Sequence, residues 1–112
     1  MRARHIVTIA LSGLLLAGAA QAADKKVVTY YNETCGVCHG EKGEGMKGLA
    51  PAFRGNKFIT AGSESEIADT ITKGRMGDAK RYKDLASPMP PQSMSDGRLK
   101  AIIAYLKNDL QH

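Results

Sequence analysis

Cys35-Gly36-Val37-Cys38-His39 brings the only two cysteines of the chain into one stretch, with a histidine directly after the second. Four chemistries could use such a group. A disulfide is compatible with an exported chain, but a thioredoxin-type redox pair sits beside a strand in a βαβ unit, and no stretch here shows sustained two-residue alternation. Structural zinc takes four ligands, and past residue 22 the only other histidine or cysteine is His112, at the tail. A copper carrier could use two thiolates and a methionine, yet has no use for the adjacent histidine. Covalent haem attachment uses all three residues. Cysteines three apart at a helix end project their thiols to one side, where each can form a thioether with one vinyl group, and the next residue is held beneath the iron. The spacing is therefore read as one haem c on Cys35 and Cys38, with His39 as a ligand of the iron.

The elements that must hold this group are helical. Val27, Tyr31, Cys35 and Cys38 recur at helical spacing, which predicts a first helix from Lys25 to about Cys38. Gly40 to Gly48 has four glycines and no apolar period, and is read as a loop. It lacks the Gly-Lys-Ser/Thr ending of a phosphate loop. Ser63-Glu64-Ser65-Glu66 fits a capping box, Ile67 and Ile71 follow one turn apart, and Gly74 is placed as a stop, so a helix is expected over 64–73. Ser95 reads as the cap of a last helix with Leu99, Ile102, Ile103, Leu106 and Leu110 on its core face. The fold expected is nearly all α, with long loops and no internal repeat.

Residues 1–22 are set apart from that domain. Arg2 and Arg4 precede an apolar run over 6–20, and Ala20-Gln21-Ala22 has the small-x-small form of a cleavage site, so 1–22 is read as a cleaved secretory signal and 23–112 as the working domain. The run is shorter than the ~20 residues needed to span a bilayer, and no stable membrane span is expected after cleavage. The chain of 112 residues carries a net charge of +5. Without Arg2 and Arg4 the balance is 14 Lys and Arg against 11 Asp and Glu. That is only mildly basic, and with no Trp and two Phe there is little to stack on bases, so nucleic-acid binding is not expected. Lys73, Arg75, Lys80, Arg81 and Lys83 cluster, with Asp78 and Asp84 among them, and read as a solvated face or a docking patch. A domain this small has a small core, which a cofactor could help to fill.

On these residues the chain resembles the class I monohaem c-type cytochromes, small bacterial electron carriers with an amino-terminal CxxCH and a distal methionine. The resemblance covers nearly all of 23–112 and implies a small helical domain wrapped around one covalent haem, its terminal helices crossing. It implies that Pro51, a dozen residues beyond His39, offers its carbonyl to the imidazole Nδ1, fixing the ring and making its other nitrogen more basic. Tyr31 and Tyr105 stand where the family has aromatics at the helix crossing. Two departures are visible: Val27 replaces a common glycine, and Trp is absent, so no residue is assigned to the haem propionates.

Four methionines past residue 22 could supply the second axial ligand. Met46 lies in the glycine-rich loop close to His39, and Met76 between flexible glycines. Met94 precedes the cap Ser95, where it is expected to staple onto Leu99. Met89, in Ser87-Pro88-Met89-Pro90-Pro91, has no helical duty and a backbone largely fixed before folding, so less entropy is lost in placing its sulfur. The family commonly uses the Met of a Met-Pro pair at this point. Met89 is taken as the ligand, with Met94 as the runner-up.

The resemblance and the ligand set together imply a periplasmic one-electron carrier rather than an enzyme, monomeric, meeting partners that carry acidic docking surfaces. Two alternatives stand beside it. One is a haem c subunit of a periplasmic oxidoreductase. The other is a gas-binding haem protein with five-coordinate iron, against which the position of CxxCH near the mature amino end counts.

Overall fold

The computed structural model describes residues 23–112; the expected signal segment, 1–22, lies outside the described residues. Helix α1 spans Lys25–Thr34 and starts where the Asp24 side chain accepts from the Lys26 N–H at 2.8 Å. The single helix expected through Cys38 is interrupted. Cys35 closes α1 and opens a one-turn helix α2, Gly36–His39. Cys35 keeps right-handed helical angles, φ −89° and ψ −43°, and its N–H still bonds to the Tyr31 carbonyl at 2.8 Å. The helical course thus continues across a small break. Gly36 packs against the Tyr31 ring there, close enough that an added Cβ would touch it.

Three further helices follow. Helix α3, Lys57–Thr60, was not expected from the sequence, because a single turn has no apolar period; its one local signal is Asn56, whose side chain accepts from the Phe58 N–H at 3.0 Å. Helix α4, Glu64–Lys73, is capped by Ser63, which accepts from the Glu66 N–H at 3.1 Å. Helix α5, Asp96–Lys107, is capped by Ser95 on the Arg98 N–H at 3.3 Å. Short 3-10 turns occupy Gly77–Ala79 and Asp109–Gln111. Among the described residues there is no strand, only isolated bridges pairing Met46 with Ala50 and Arg75 with Met89.

The stripe expected on the last helix faces the core, with Leu110 carried beyond α5 by the 3-10 turn Asp109–Gln111. Ile102, Ile103, Leu106 and Leu110 are buried with Tyr31, Ile67 and Ile71, and Leu99 packs at the margin. Helix α1 packs on α5, where the Tyr31 and Tyr105 rings meet edge-on at 5.2 Å, and α3 and α4 also pack on α5. Val27 is partly buried against this core. The result is an all-α domain with its first and last helices in contact. Among the described residues no helix is long and apolar enough to cross a membrane.

Candidate cofactor site

The loops between these helices enclose a cleft of about 1170 Å³, its open mouth included. Cys35, Cys38 and His39 reach it from the break between α1 and α2. Both thiols are free and half-buried. Burial, and secondarily the neighbouring Cys38, pushes the Cys35 thiol up to about 11. In the folded chain it is a neutral thiol, a poor nucleophile.

His39 is buried, and three neighbours orient it. Its Nδ1 lies 2.8 Å from the Pro51 carbonyl, which can only accept, so Nδ1 carries the hydrogen and Nε2 has the free lone pair. The Phe53 ring stacks on the imidazole at 4.0 Å and 19°. Burial lowers the basicity of His39, and the Pro51 carbonyl opposes that shift. The Pro51 carbonyl is itself held by the 40–48 loop. Gly45 donates to the His39 carbonyl at 2.7 Å, and with φ at +77° an added Cβ would stand 2.7 Å from the Ala52 nitrogen. Only glycine allows both that angle and that approach. From the other side Gln111 donates to the Phe53 carbonyl and accepts from the Gly55 N–H, each at 2.8 Å, so the carboxy-terminal turn fixes the loop carrying Phe53.

Of the four methionines among the described residues, Met89 alone lines the cleft. Met46 and Met76 are 45% and 52% exposed, while Met94 packs against the core cluster outside the cleft. The Met89 segment is pinned to the end of α4. Its carbonyl accepts from the Arg75 N–H at 2.8 Å, and Gln92 donates to the Ile71 carbonyl at 2.8 Å. Gly74 turns beneath it with φ +67°, where a Cβ would meet the Met89 oxygen at 2.5 Å and the Pro91 nitrogen at 2.6 Å.

The rest of the lining is mainly apolar, from Ile59, Ile67, Ile71 and Leu106, with a few polar side chains such as Asn56, Thr70 and Gln92 and a cationic rim of Arg75, Lys80 and Arg81; among the described residues no Asp or Glu lines it. Arg75 and Arg81 stand over the same Phe58 ring, their guanidinium carbons 4.7 and 5.2 Å from its centre. Desolvation, then the like charge of Arg81, pushes Arg75 below its usual basicity. In sequence Arg75 and Arg81 belong to a basic cluster read as a solvated face or docking patch, and Phe58 carries no signal of a role. Their approach depends on the α3 turn and on a loop closed by the Ala86 N–H on the Gly48 carbonyl at 2.8 Å.

A haem fits this donor set. Two free thiols and an oriented imidazole stand on one element, a thioether on another, and apolar walls between them suit a flat macrocycle whose two carboxylates call for cations. Among the described residues no three or more His, Cys, Asp or Glu side chains gather to hold a bare metal ion, so structural zinc has no ligand set.

Comparison with known proteins agrees with the cleft. The profile of the family described as cytochrome c matches residues 25–109, which implies haem c. The chain is similar to the Cbb3-type cytochrome c oxidase subunit CcoP of Azospirillum brasilense, 30% identical over 93 residues, which cover 78% of this chain and 28% of that protein. It is also similar to the subunit of the same name from Azospirillum sp. (strain B510), 28% identical over 103 residues, covering 85% of this chain and 32% of that protein. The chain thus spans about a third or less of these relatives.

Proposed function

The chain belongs to the cytochrome c family, and on that premise we propose that it is a one-electron carrier holding a single haem c through Cys35 and Cys38, with His39 and Met89 as the axial ligands of the iron. The observation that carries this reading is that all four side chains line one cleft, and that Met89 is the methionine found there. When bound, the haem supplies a one-electron ferric–ferrous couple.

The protein's part is to hold that couple in a dry, rigid setting. The two cysteines anchor it from the α1–α2 break. Pro51 and Phe53 hold the imidazole with Nδ1 occupied, leaving Nε2 as the nitrogen that would bind the iron, and the bond to Nδ1 would strengthen it as a donor. Met89 adds a soft, neutral sulfur, which raises the potential relative to a second histidine. With His39 and Met89 both bound to the iron, no position would be left open for substrate, which favours electron transfer over catalysis. Residues 1–22 direct export and are removed, and the mature monomer works in the periplasm, its exposed lysines steering partners with acidic surfaces. Intact mass of the purified protein checks the first part: an amino terminus at Ala23 and the increment of one haem are expected, and retained leader residues would contradict it.

The test of the carrier itself is the reduced optical spectrum with and without carbon monoxide. Indifference to carbon monoxide is expected of iron with two side-chain ligands. Ready binding would move the function to sensing or catalysis at an open position.

A second reading is favoured by the similarity to oxidase subunits: that the chain is the haem c component of a larger periplasmic oxidoreductase. Purification in high salt separates the two. A stoichiometric partner that survives would make the chain a subunit, and its loss would leave a diffusing carrier.

A further inference from the structure

We propose that Arg75 couples the two ends of the haem site, its guanidinium, beside that of Arg81, taking a carboxylate of the haem while its backbone N–H holds the carbonyl of Met89. The inference rests on the haem reading above and adds to it which residues meet the carboxylates and how they act on the ligand loop.

Among the described residues three cations and no carboxylate side chain line the cleft, so an anion brought into it finds opposite charge and no like charge. The three cations are not equivalent. The Lys80 ammonium is already committed to the carbonyl oxygens of Leu85 and Lys83. Arg75 and Arg81 each stand over the Phe58 ring, and the single ion pair among the described residues is Lys73 with Asp69, so neither guanidinium has a carboxylate. Arg75 is half-buried and its side chain makes one hydrogen bond, from Nη2 to the Thr70 hydroxyl at 3.1 Å. A guanidinium carries five donors in a planar fork matched to a carboxylate, and a partly desolvated one with most of its donors unused is a site for such a partner. Phe58 holds that guanidinium by a cation–π contact, 4.7 Å from its ring centre.

The coupling follows from the backbone. Arg75 is the residue whose N–H bridges to the Met89 carbonyl at 2.8 Å, and Gly74 beside it is in near contact with the Met89–Pro91 chain. An anchor on the Arg75 side chain therefore also anchors Met89. Arg81 has no such bridge. It would hold the carboxylate without holding the ligand.

The test uses the mature haem-loaded protein, free of partners, as wild type, Arg75→Gln, Arg75→Lys and Arg81→Gln; all keep the backbone N–H of residue 75. Resonance Raman spectroscopy reads the bending mode of the haem propionates, which shifts with their hydrogen bonding. Titration with free imidazole, followed by the methionine-to-iron charge-transfer band, reads how firmly Met89 is held. Arg75→Gln is expected to shift the propionate mode and to lower the displacing imidazole concentration by about tenfold, the scale of one charge-assisted bond. Arg75→Lys keeps the charge without the fork and should fall between. Arg81→Gln should shift the mode yet leave the imidazole midpoint within about twofold of the wild type. A propionate mode unmoved in Arg75→Gln overturns the assignment and points the guanidinium at a partner's acid instead. A moved mode with an unchanged imidazole midpoint overturns the coupling. A wild type with no methionine-to-iron band sinks the ligand reading beneath both, which separates that failure from the other two.

Discussion

Tyr31 is fully buried, and its hydroxyl donates to the Gly40 carbonyl at 2.7 Å, directly after the Cys35–His39 stretch. Burial, with smaller contributions from Cys35, Tyr105 and Glu44, holds its pKa far above the usual phenol value of 10.0. A group that keeps its proton more tightly when folded contributes stability that is complete below the unfolded value and is lost as pH climbs beyond it. Tyr31→Phe is therefore expected to cost about 1 kcal/mol at neutral pH, since the Gly40 carbonyl loses the hydroxyl and keeps only its bond from the Gly43 N–H at 3.0 Å. The same variant should flatten the decline in stability above about pH 10. Urea unfolding of both proteins at neutral and alkaline pH checks both parts, and an equal alkaline decline in the variant would move that loss to other groups. At this scale the sequence was legible where spacing is local: Cys35, Cys38 and His39 are adjacent, and the prolines around Met89 single it out among the methionines. Their meeting in one cleft is geometry; their roles as attachments and ligands are the proposal above. The Arg75–Phe58–Arg81 group was not legible, since its residues come from separate segments and no spacing announces a shared ring.

At the scale of elements, two glycines do more than turn the chain. Gly74 reads in sequence as a helix stop, and it does end α4, but its close pass under Met89–Pro91 depends on a segment some fifteen residues away and leaves no local trace. Gly74→Ala would combine a left-handed angle, costing about 1–2 kcal/mol for a residue with a Cβ, with a clash against the Met89 oxygen. The expected outcome is a weaker or absent methionine-to-iron band while the helical circular dichroism is largely kept. Gly45→Ala should act on the other side, loosening Pro51 from His39 and so weakening the imidazole as a donor to ferric iron, with a raised midpoint potential as the readout. An unchanged potential would mean that the loop can shift without moving the carbonyl. The capped helices were the legible ones. Ser63 and Ser95 mark the starts of α4 and α5 with side-chain oxygens that can be read locally, whereas α3 is one turn long and the break at Cys35 changes no backbone region.

At the scale of the molecule, core and cleft share their walls. Ile59, Ile67, Ile71 and Leu106 belong to both, so the cofactor and the core should stabilise one another. A domain of this size has only about 5–15 kcal/mol of stability in hand, too little to tolerate large apolar walls without a partner. A Cys35→Ser, Cys38→Ser chain expressed without haem is expected to lose most of its helical circular dichroism at 25 °C. A cooperative, native-like unfolding transition in that chain would show that the helices suffice alone. The mildly basic balance belongs to this scale too. Electron exchange with an acidic partner should slow as ionic strength rises from about 0.01 to about 0.2 M, as screening shortens the reach of the lysines.

The central claim is most directly tested by the oxidised optical spectrum of the mature protein beside Met89→Ala and Met94→Ala. A methionine-to-iron charge-transfer band is expected in the wild type, retained in Met94→Ala and abolished in Met89→Ala, which should also gain carbon monoxide binding when reduced. A band that survives Met89→Ala and disappears in Met94→Ala would contradict the ligand, and a wild type without the band would contradict the six-coordinate carrier.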